Sequence, residues 1–136
     1  MLTTEECEWM HEHLKDTMVG ALGIHFTPTD DESVRAEMPI NSSTRQYFGI
    51  LHGGASLTLA ETVAGAGSLR MAGFDKKVCG LQVTGNHVGM SPTEGKVIGV
   101  ATPIHIGRST HVWNVDVRDE SGKLISTERV TNMILS

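Results

Sequence analysis

A long uncharged segment in the middle of the chain restricts its fold more than any other feature of the sequence. Between Arg45 and Arg70 the only formally charged side chain is that of Glu61, which lies in a run of small and apolar residues. Such a run predicts a helix over 53–70 that is buried all round. Because an unpaired buried carboxylate is destabilising, Glu61 needs either a partner or a function. We interpret it as a catalytic residue.

Two other interpretations of Glu61 stay open at this point: it faces a solvent-lined groove, or it pairs with an arginine from elsewhere in the fold. The segment before the helix favours catalysis. It places Gln46, His52, Gly53 and Gly54 at the helix N-terminus. Glycines there let a ligand approach the backbone, and the free N–H groups of a first helical turn favour developing negative charge. The helix entry therefore predicts an oxyanion-type site.

Size and charge limit the classes of function. With 136 residues, the chain is expected to form one domain over 1–136. A net charge of −5 argues against nucleic acid or an anionic membrane surface as a partner. The two cysteines form no CxxC pair, the first residues are acidic rather than basic and apolar, and the central apolar run is too interrupted to span a membrane. We expect a cytoplasmic protein.

The remaining periodicity predicts one helix followed mostly by strands. A capping-box pattern at Thr3 and Glu6, with Met10, Leu14 and Met18 at helical spacing, predicts an amphipathic N-terminal helix within 1–22. Alternation and turn residues predict strands over 34–40, 77–89, 96–106, 111–117 and 123–135. The predicted fold class is α+β, with an antiparallel sheet of five to six strands wrapped around one long central helix.

The segment from Gln46 through His52-Gly53-Gly54 to Glu61, followed by Asn86-His87 and Gly107-Arg108, resembles the hotdog-fold acyl-CoA thioesterases. The similarity is to their phenylacetate-pathway and 4-hydroxybenzoyl-CoA branch, and especially to bacterial 1,4-dihydroxy-2-naphthoyl-CoA hydrolases and enterobactin-proofreading thioesterases. It covers nearly the whole chain from about residue 20. It implies hydrolysis of an acyl-CoA, most simply an aroyl-CoA, without a cofactor, since coenzyme A is part of the substrate.

The resemblance also implies a role for each matched residue. Glu61 is the nucleophile or general base, the Gly53 N–H polarises the thioester carbonyl, and Gln46 and His52 are positioning donors. We interpret His87 as part of the pocket wall rather than as a catalytic residue. Beyond the roles that the resemblance implies, we expect further substrate-binding residues at Gly54, Gly65, Gly80, Arg108, Ser109 and Thr110.

The residues themselves agree with this chemistry in part. Thioester hydrolysis needs a base or nucleophile and donors for the carbonyl oxygen. The Gly107-Arg108 pair is suited to a phosphate, although an ordinary hairpin turn explains it equally well. No histidine, cysteine or carboxylate set has zinc-ligand spacing, so we expect no metal. The chain departs from the family at Gly65, where many relatives have Ser or Thr, and Thr62 or Ser68 could supply that hydroxyl.

Two alternatives to acyl-CoA hydrolysis remain: the release of acyl groups from an acyl carrier protein, and a non-catalytic acyl-CoA-binding module.

Helix geometry adds an expectation about assembly. Gly53 and Glu61 are separated by roughly 12 Å along one helix, at about 1.5 Å per residue, which is too far to act on one carbonyl. Two antiparallel copies of the helix would bring Glu61 of one chain opposite Gln46 and Gly53 of the other. We therefore expect a homodimer, and by the resemblance a dimer of dimers.

Overall fold

The fold is a six-stranded antiparallel sheet that packs against one long helix, as the sequence predicts. A computed structural model describes residues 2–136 of the chain. In chain order the elements are α1 (Thr4–Leu14), α2 (Met18–Ala21), β1 (His25–Thr27), β2 (Val34–Pro39), α3 (Gly53–Ala72), β3 (Lys77–His87), β4 (Lys96–Ile106), β5 (Thr110–Asp119) and β6 (Leu124–Leu135).

The strands lie in the order β1-β2-β4-β5-β6-β3, and every neighbouring pair is antiparallel. The five predicted strands are present, and β1 is a sixth, three-residue strand that the sequence did not reveal. The 11-residue strand β3 forms one edge of the sheet. A register shift between Gly80 and Gln82 interrupts its pairing with β6, which locally bends the edge strand.

The ends of helix α3 are set by a capping side chain at one end and a glycine at the other. The His52 side chain caps its N-terminus by accepting a hydrogen bond from the Gly54 N–H, and Gly73, with φ of 115°, ends it. One face of the helix is fully buried against the sheet, including Leu59 and Val63. Gly67 lies against the buried ring of Trp113, so the small residues of the run allow close packing.

The prediction that α3 is buried all round was wrong. The sheet covers one face of the helix, and Glu61 lies on the exposed opposite face. The uncharged run suggested burial on both sides because glycine, alanine and threonine are compatible with either environment. In a single chain, therefore, the carboxylate is in contact with solvent rather than desolvated.

The predicted N-terminal helix over 1–22 is two helices, and its first residue lies outside the described range. Helix α1 starts at the predicted capping box, where Thr3 and Glu6 exchange side-chain to backbone hydrogen bonds. The helix then breaks because the Thr17 hydroxyl donates to the Leu14 carbonyl and accepts from the Val19 N–H, capping α2. As a result Met10 is buried, at 1% exposure, whereas Met18 is 62% exposed instead of extending the buried stripe.

Candidate active site

The N-terminus of α3 brings together four of the predicted site residues. His52 Nδ1 accepts the Gly54 N–H at 2.8 Å, so one of the unpaired donors of the first turn is satisfied. Within residues 2–136 no acceptor is bonded to the Gly53 N–H, which stays available to a ligand. Gln46 lies in the preceding loop, where its backbone carbonyl accepts a hydrogen bond from the Gly49 N–H at 2.9 Å. This arrangement fits the predicted oxyanion-type donor.

His87, at the end of β3, lies directly against the same helix turn. A Cβ atom on Gly53 would lie 2.5 Å from His87 Nε2, so only glycine fits between the ring and the helix. Gln46, Gly53 and His87 line one cleft of about 330 Å³. The structure therefore places His87 in the wall of the cleft around the helix N-terminus.

Glu61 lies in a different region, on the exposed face of α3. A Cβ atom on Gly80 would lie 3.1 Å from Glu61 Oε2, so the glycine of the edge strand makes room for the carboxylate. Glu61 makes no ion pair within residues 2–136, which removes the alternative of an arginine partner in the same chain. It faces a groove, as the other alternative supposed.

The groove beside Glu61 is a mostly apolar cleft of about 310 Å³ between α1, α3 and β3. Gly65 and Gly80, two of the expected substrate-binding residues, line it. Sequence reasoning missed its aromatic wall. In that wall Trp9 stacks on His13, with ring centroids 3.9 Å apart. The other lining residues include Phe26, Thr62, Leu69 and Asn132.

Of the two hydroxyls considered as replacements at Gly65, only Thr62 lies near Glu61. Ser68 is fully buried on the other side of α3, where its Oγ is 2.8 Å from Trp113 Nε1 and 2.9 Å from His111 Nδ1. It belongs to a core hydrogen-bond network, so this alternative for Ser68 was wrong. Thr62 lines the cleft, and its hydroxyl donates to the Thr58 carbonyl at 2.6 Å.

Arg108 and Ser109 lie in the turn between β4 and β5, and Thr110 is the first residue of β5; this region is at the opposite end of α3 from Gly53. The turn is closed by a hydrogen bond from the Gly107 N–H to the Thr110 carbonyl, as in the hairpin interpretation. Arg108 and Lys76 line one cleft there together with the last residues of α3. Two cationic side chains around one cleft are suited to an anionic group. Within one chain, this cleft is remote from the helix N-terminus.

Among residues 2–136, no group of three or more histidine, cysteine or acidic side chains is placed to hold a metal ion. None of the helices in this described part of the chain is both long enough and apolar enough to cross a membrane.

Comparison with known proteins assigns the family. The family model described as the thioesterase superfamily matches residues 48–126, which include α3 with Glu61 and most of the sheet. The chain belongs to the thioesterase superfamily. Its six-stranded antiparallel sheet and long central helix are the hotdog fold of that superfamily, which confirms the predicted fold class.

Individual members of this superfamily are similar over nearly the whole chain. The 1,4-dihydroxy-2-naphthoyl-CoA hydrolase of Escherichia coli (strain K12) is 42% identical over 118 residues, covering 87% of this chain and 86% of that protein. A solved thioesterase from Haemophilus influenzae superposes with a TM-score of 0.93 at 35% identity, covering 100% and 96% of the two chains. A mutant thioesterase from Pseudomonas aeruginosa gives 0.91 at 36% identity, covering 98% and 96%. These relatives are named as thioesterases or hydrolases, which confirms the predicted enzyme class, a thioester hydrolase.

Proposed function

We propose that this thioesterase hydrolyses an acyl-CoA with an aromatic acyl group to the free acid and CoA. The observation that carries the proposal is the position of Glu61, which lies beside an apolar cleft without a cationic partner among residues 2–136. In the reaction a carbon–oxygen bond forms at the thioester carbonyl, the carbon–sulfur bond breaks, and the thiolate takes up a proton. Glu61 either removes the proton from water or attacks the carbonyl itself, giving an anhydride that water then hydrolyses.

The lining of the cleft supports an aromatic acyl group. Trp9 packs on His13 and makes an edge contact with Phe74, with ring centroids 4.8 Å apart. Flat side chains next to Leu69 offer a ring both stacking and apolar contact. The Escherichia coli relative is named for a bicyclic aromatic acyl group, which agrees with this choice.

We also propose that the working site is shared between two chains. Glu61 and the donors around Gly53 line separate clefts of one chain. The long edge strand β3 has unpaired backbone groups, and Leu81 on it is 54% exposed. Exposed, apolar edge strands tend to pair with another strand. Pairing of β3 with its copy across a two-fold axis would place the exposed faces of two α3 helices antiparallel, in a homodimer that the resemblance extends to a dimer of dimers.

In this assembly the cleft lined by Arg108 and Lys76 is suited to the phosphates of CoA. In the antiparallel arrangement, Arg108 and Lys76 at the C-terminal end of one α3 lie toward Gly53 of the partner chain. A CoA whose thioester is held at the helix N-terminus could then extend its phosphates toward these cations. Arg108 and Ser109, which line this cleft, are accordingly proposed as phosphate contacts, together with the adjacent Thr110. The two cysteines are free, in agreement with the proposed cytoplasmic location.

The test is a hydrolysis panel of aryl, short-chain and long-chain CoA esters, together with an acyl-loaded carrier protein. The Glu61→Gln variant keeps the size of the side chain but removes the base and nucleophile, so kcat should fall by about 10²-fold or more with little change in substrate binding. Glu94→Gln, at an exposed carboxylate in a turn, is the matched control and should retain full turnover.

The outcomes separate the alternatives. Fast turnover of the loaded carrier with weak activity on every CoA ester would replace the proposal by carrier-protein hydrolysis. Binding of CoA esters without turnover by the wild type would indicate a non-catalytic module. Near-normal kcat in Glu61→Gln would remove Glu61 from the mechanism.

A further inference from the structure

A buried carboxyl group lies behind His87, on the side of the ring away from Gly53. Glu128 is only 3% exposed, and Ser126 is fully buried. The Ser126 hydroxyl lies 2.8 Å from His87 Nδ1 and is also hydrogen-bonded to Glu128 Oε2. These contacts connect Glu128, Ser126 and His87 in a single hydrogen-bonded chain, which ends at the α3 N-terminus.

The register of the sheet brings Glu128, Ser126 and His87 into this hydrogen-bonded series. Ser126 and Glu128 are two residues apart on β6, so their side chains share the face that packs on α3. On β3 their partners are His87 and Gly85, respectively. A Cβ atom at Gly85 would lie 2.7 Å from Glu128 Oε2, so glycine at this position leaves the space that the carboxyl group occupies.

The surroundings of Glu128 disfavour its charged form. Its Oε1 atom is buried and has no hydrogen-bond partner within the described residues 2–136. Helix α3 packs Leu57 close to the same space, and β5 pairs Val115 with Glu128. The charged group on β5 that acts on Glu128 is Asp116, which is also acidic. Burial raises the pKa of Glu128 to about 7, and the charge of Asp116 adds to the rise. Both protonation states are therefore populated near neutral pH, with His87 as the titratable neighbour on β3.

We propose that Glu128, acting through the Ser126 hydroxyl, determines which ring nitrogen of His87 carries the proton. The reason is that a serine hydroxyl has one hydrogen to donate. A protonated Glu128 donates to Ser126 Oγ, so the Ser126 hydrogen is given to His87 Nδ1 and the ring proton is on Nε2. An ionised Glu128 accepts the Ser126 hydrogen, so Ser126 Oγ accepts from Nδ1–H and Nε2 presents a lone pair. The Asn86 carbonyl, 3.3 Å from Ser126 Oγ, is a weaker competing acceptor.

The protons of this exchange balance. When Glu128 ionises, its proton moves to Ser126, the Ser126 proton moves to Nδ1, and the Nε2 proton leaves to solvent, so one proton is lost in total. Nε2 is the ring atom that faces Gly53 and the cleft with Gln46. Glu128 and Ser126 are thus positioning residues. They make His87 a donor beside the Gly53 N–H at lower pH and an acceptor at higher pH, a consequence for catalysis that rests on the proposed function.

The test is NMR of the His87 ring nitrogens in the substrate-free protein, because ¹⁵N shifts distinguish the two neutral tautomers from the imidazolium. In the wild type, the neutral ring should change from Nε2–H to Nδ1–H between about pH 6 and 8, on either side of pH 7. Glu128→Gln, which cannot ionise, should lose this change. Ser126→Ala should leave the carboxyl ¹³C titration of Glu128 in place and uncouple it from the ring.

Asp116→Asn is the matched control, since it removes a nearby charge without touching the chain of hydrogen bonds. It should shift the midpoint to lower pH and retain the tautomer change. The proposal is overturned if the wild-type ring keeps one tautomer while Glu128 titrates, or if Glu128→Gln retains the change with an intact backbone spectrum. Because no substrate is used, neither result depends on whether the chain hydrolyses acyl-CoA.

Discussion

Two glycines of α3, only two residues apart, should respond oppositely to alanine substitution. A Cβ atom on Gly65 would meet no heavy atom of the described residues within 4 Å. A Cβ atom on Gly67 would lie 2.5 Å from Cη2 and 2.8 Å from Cζ2 of Trp113. That ring is fully buried, and its Nε1 donates to Ser68 at 2.8 Å, so it cannot move without losing contacts. Gly67→Ala is therefore an overpacking change, whereas Gly65→Ala is not.

The magnitudes follow from separating two terms. Alanine is favoured over glycine inside a helix by about 0.5–1 kcal/mol, and both variants gain this amount. Gly65→Ala should therefore be more stable than wild type by about that much. Gly67→Ala also incurs the cost of overpacking, about 1–3 kcal/mol. Since the propensity term cancels between the variants, the difference in their free energies of unfolding measures the overpacking alone.

Urea denaturation at one fixed protein concentration provides the measurement, with equal m-values as the check that only stability has changed. Equal stability of the two variants would refute the argument that Trp113 fixes the space around Gly67. A clear loss of stability in Gly65→Ala would show that the space beside Gly65 is filled in the assembled protein.

Two further predictions concern assembly and pH. An inactive Glu61→Ala chain mixed with a chain inactivated at Gln46 should form heterodimers with up to half the wild-type activity per dimer, and verified heterodimers without recovery would rule out a shared site. Because the pKa of Glu128 is raised from 4.5 to about 7, its contribution to stability is complete below pH 4.5 and is lost as pH rises to 7, by roughly 3 kcal/mol at about 1.4 kcal/mol per pH unit. Denaturation at a series of pH values should show this loss of stability in wild type relative to Glu128→Gln. Burial lowers the pKa values of His11 and His111, but these groups affect both proteins alike. Parallel curves of unfolding free energy against pH would contradict the interpretation of Glu128 as a buried acid.

The sequence predicts best the elements that have their own local signals. The bounds of α3 follow from the glycines before and after an uncharged run, and the four long strands follow from alternation and turn residues. Strand β1 has three residues, too few for a period-two pattern, and it exists because it pairs with β2. The break between α1 and α2 depends on a single hydroxyl, that of Thr17, which has no effect on hydrophobic periodicity.

From the residues alone, without the family resemblance, the grouping of the site was predictable only where its residues are close in sequence. Gln46, His52 and Gly53 share one loop and helix turn, so their proximity follows from the local pattern. The contact between His87 and Gly53 depends on how β3 packs against α3, which no local pattern shows. Glu128 carries a signal that was missed, because Ser126, Glu128, Val130 and Asn132 alternate along β6 and Val130 marks their shared face as buried.

The wrong prediction that Glu61 is buried and the proposed dimer both concern the face of α3 that the sheet leaves exposed. The uncharged segment around Glu61 was interpreted as a helix enclosed by its own chain, but the sheet covers only one face and leaves the other exposed. A helix face that carries one charge, next to an unpaired edge strand, is unusual for a surface that stays in water. A second copy of the chain would cover it and supply the Gly53 donors that Glu61 cannot reach along its own helix. Under the proposed function, the burial inferred from the sequence is then a property of the dimer rather than of the single chain.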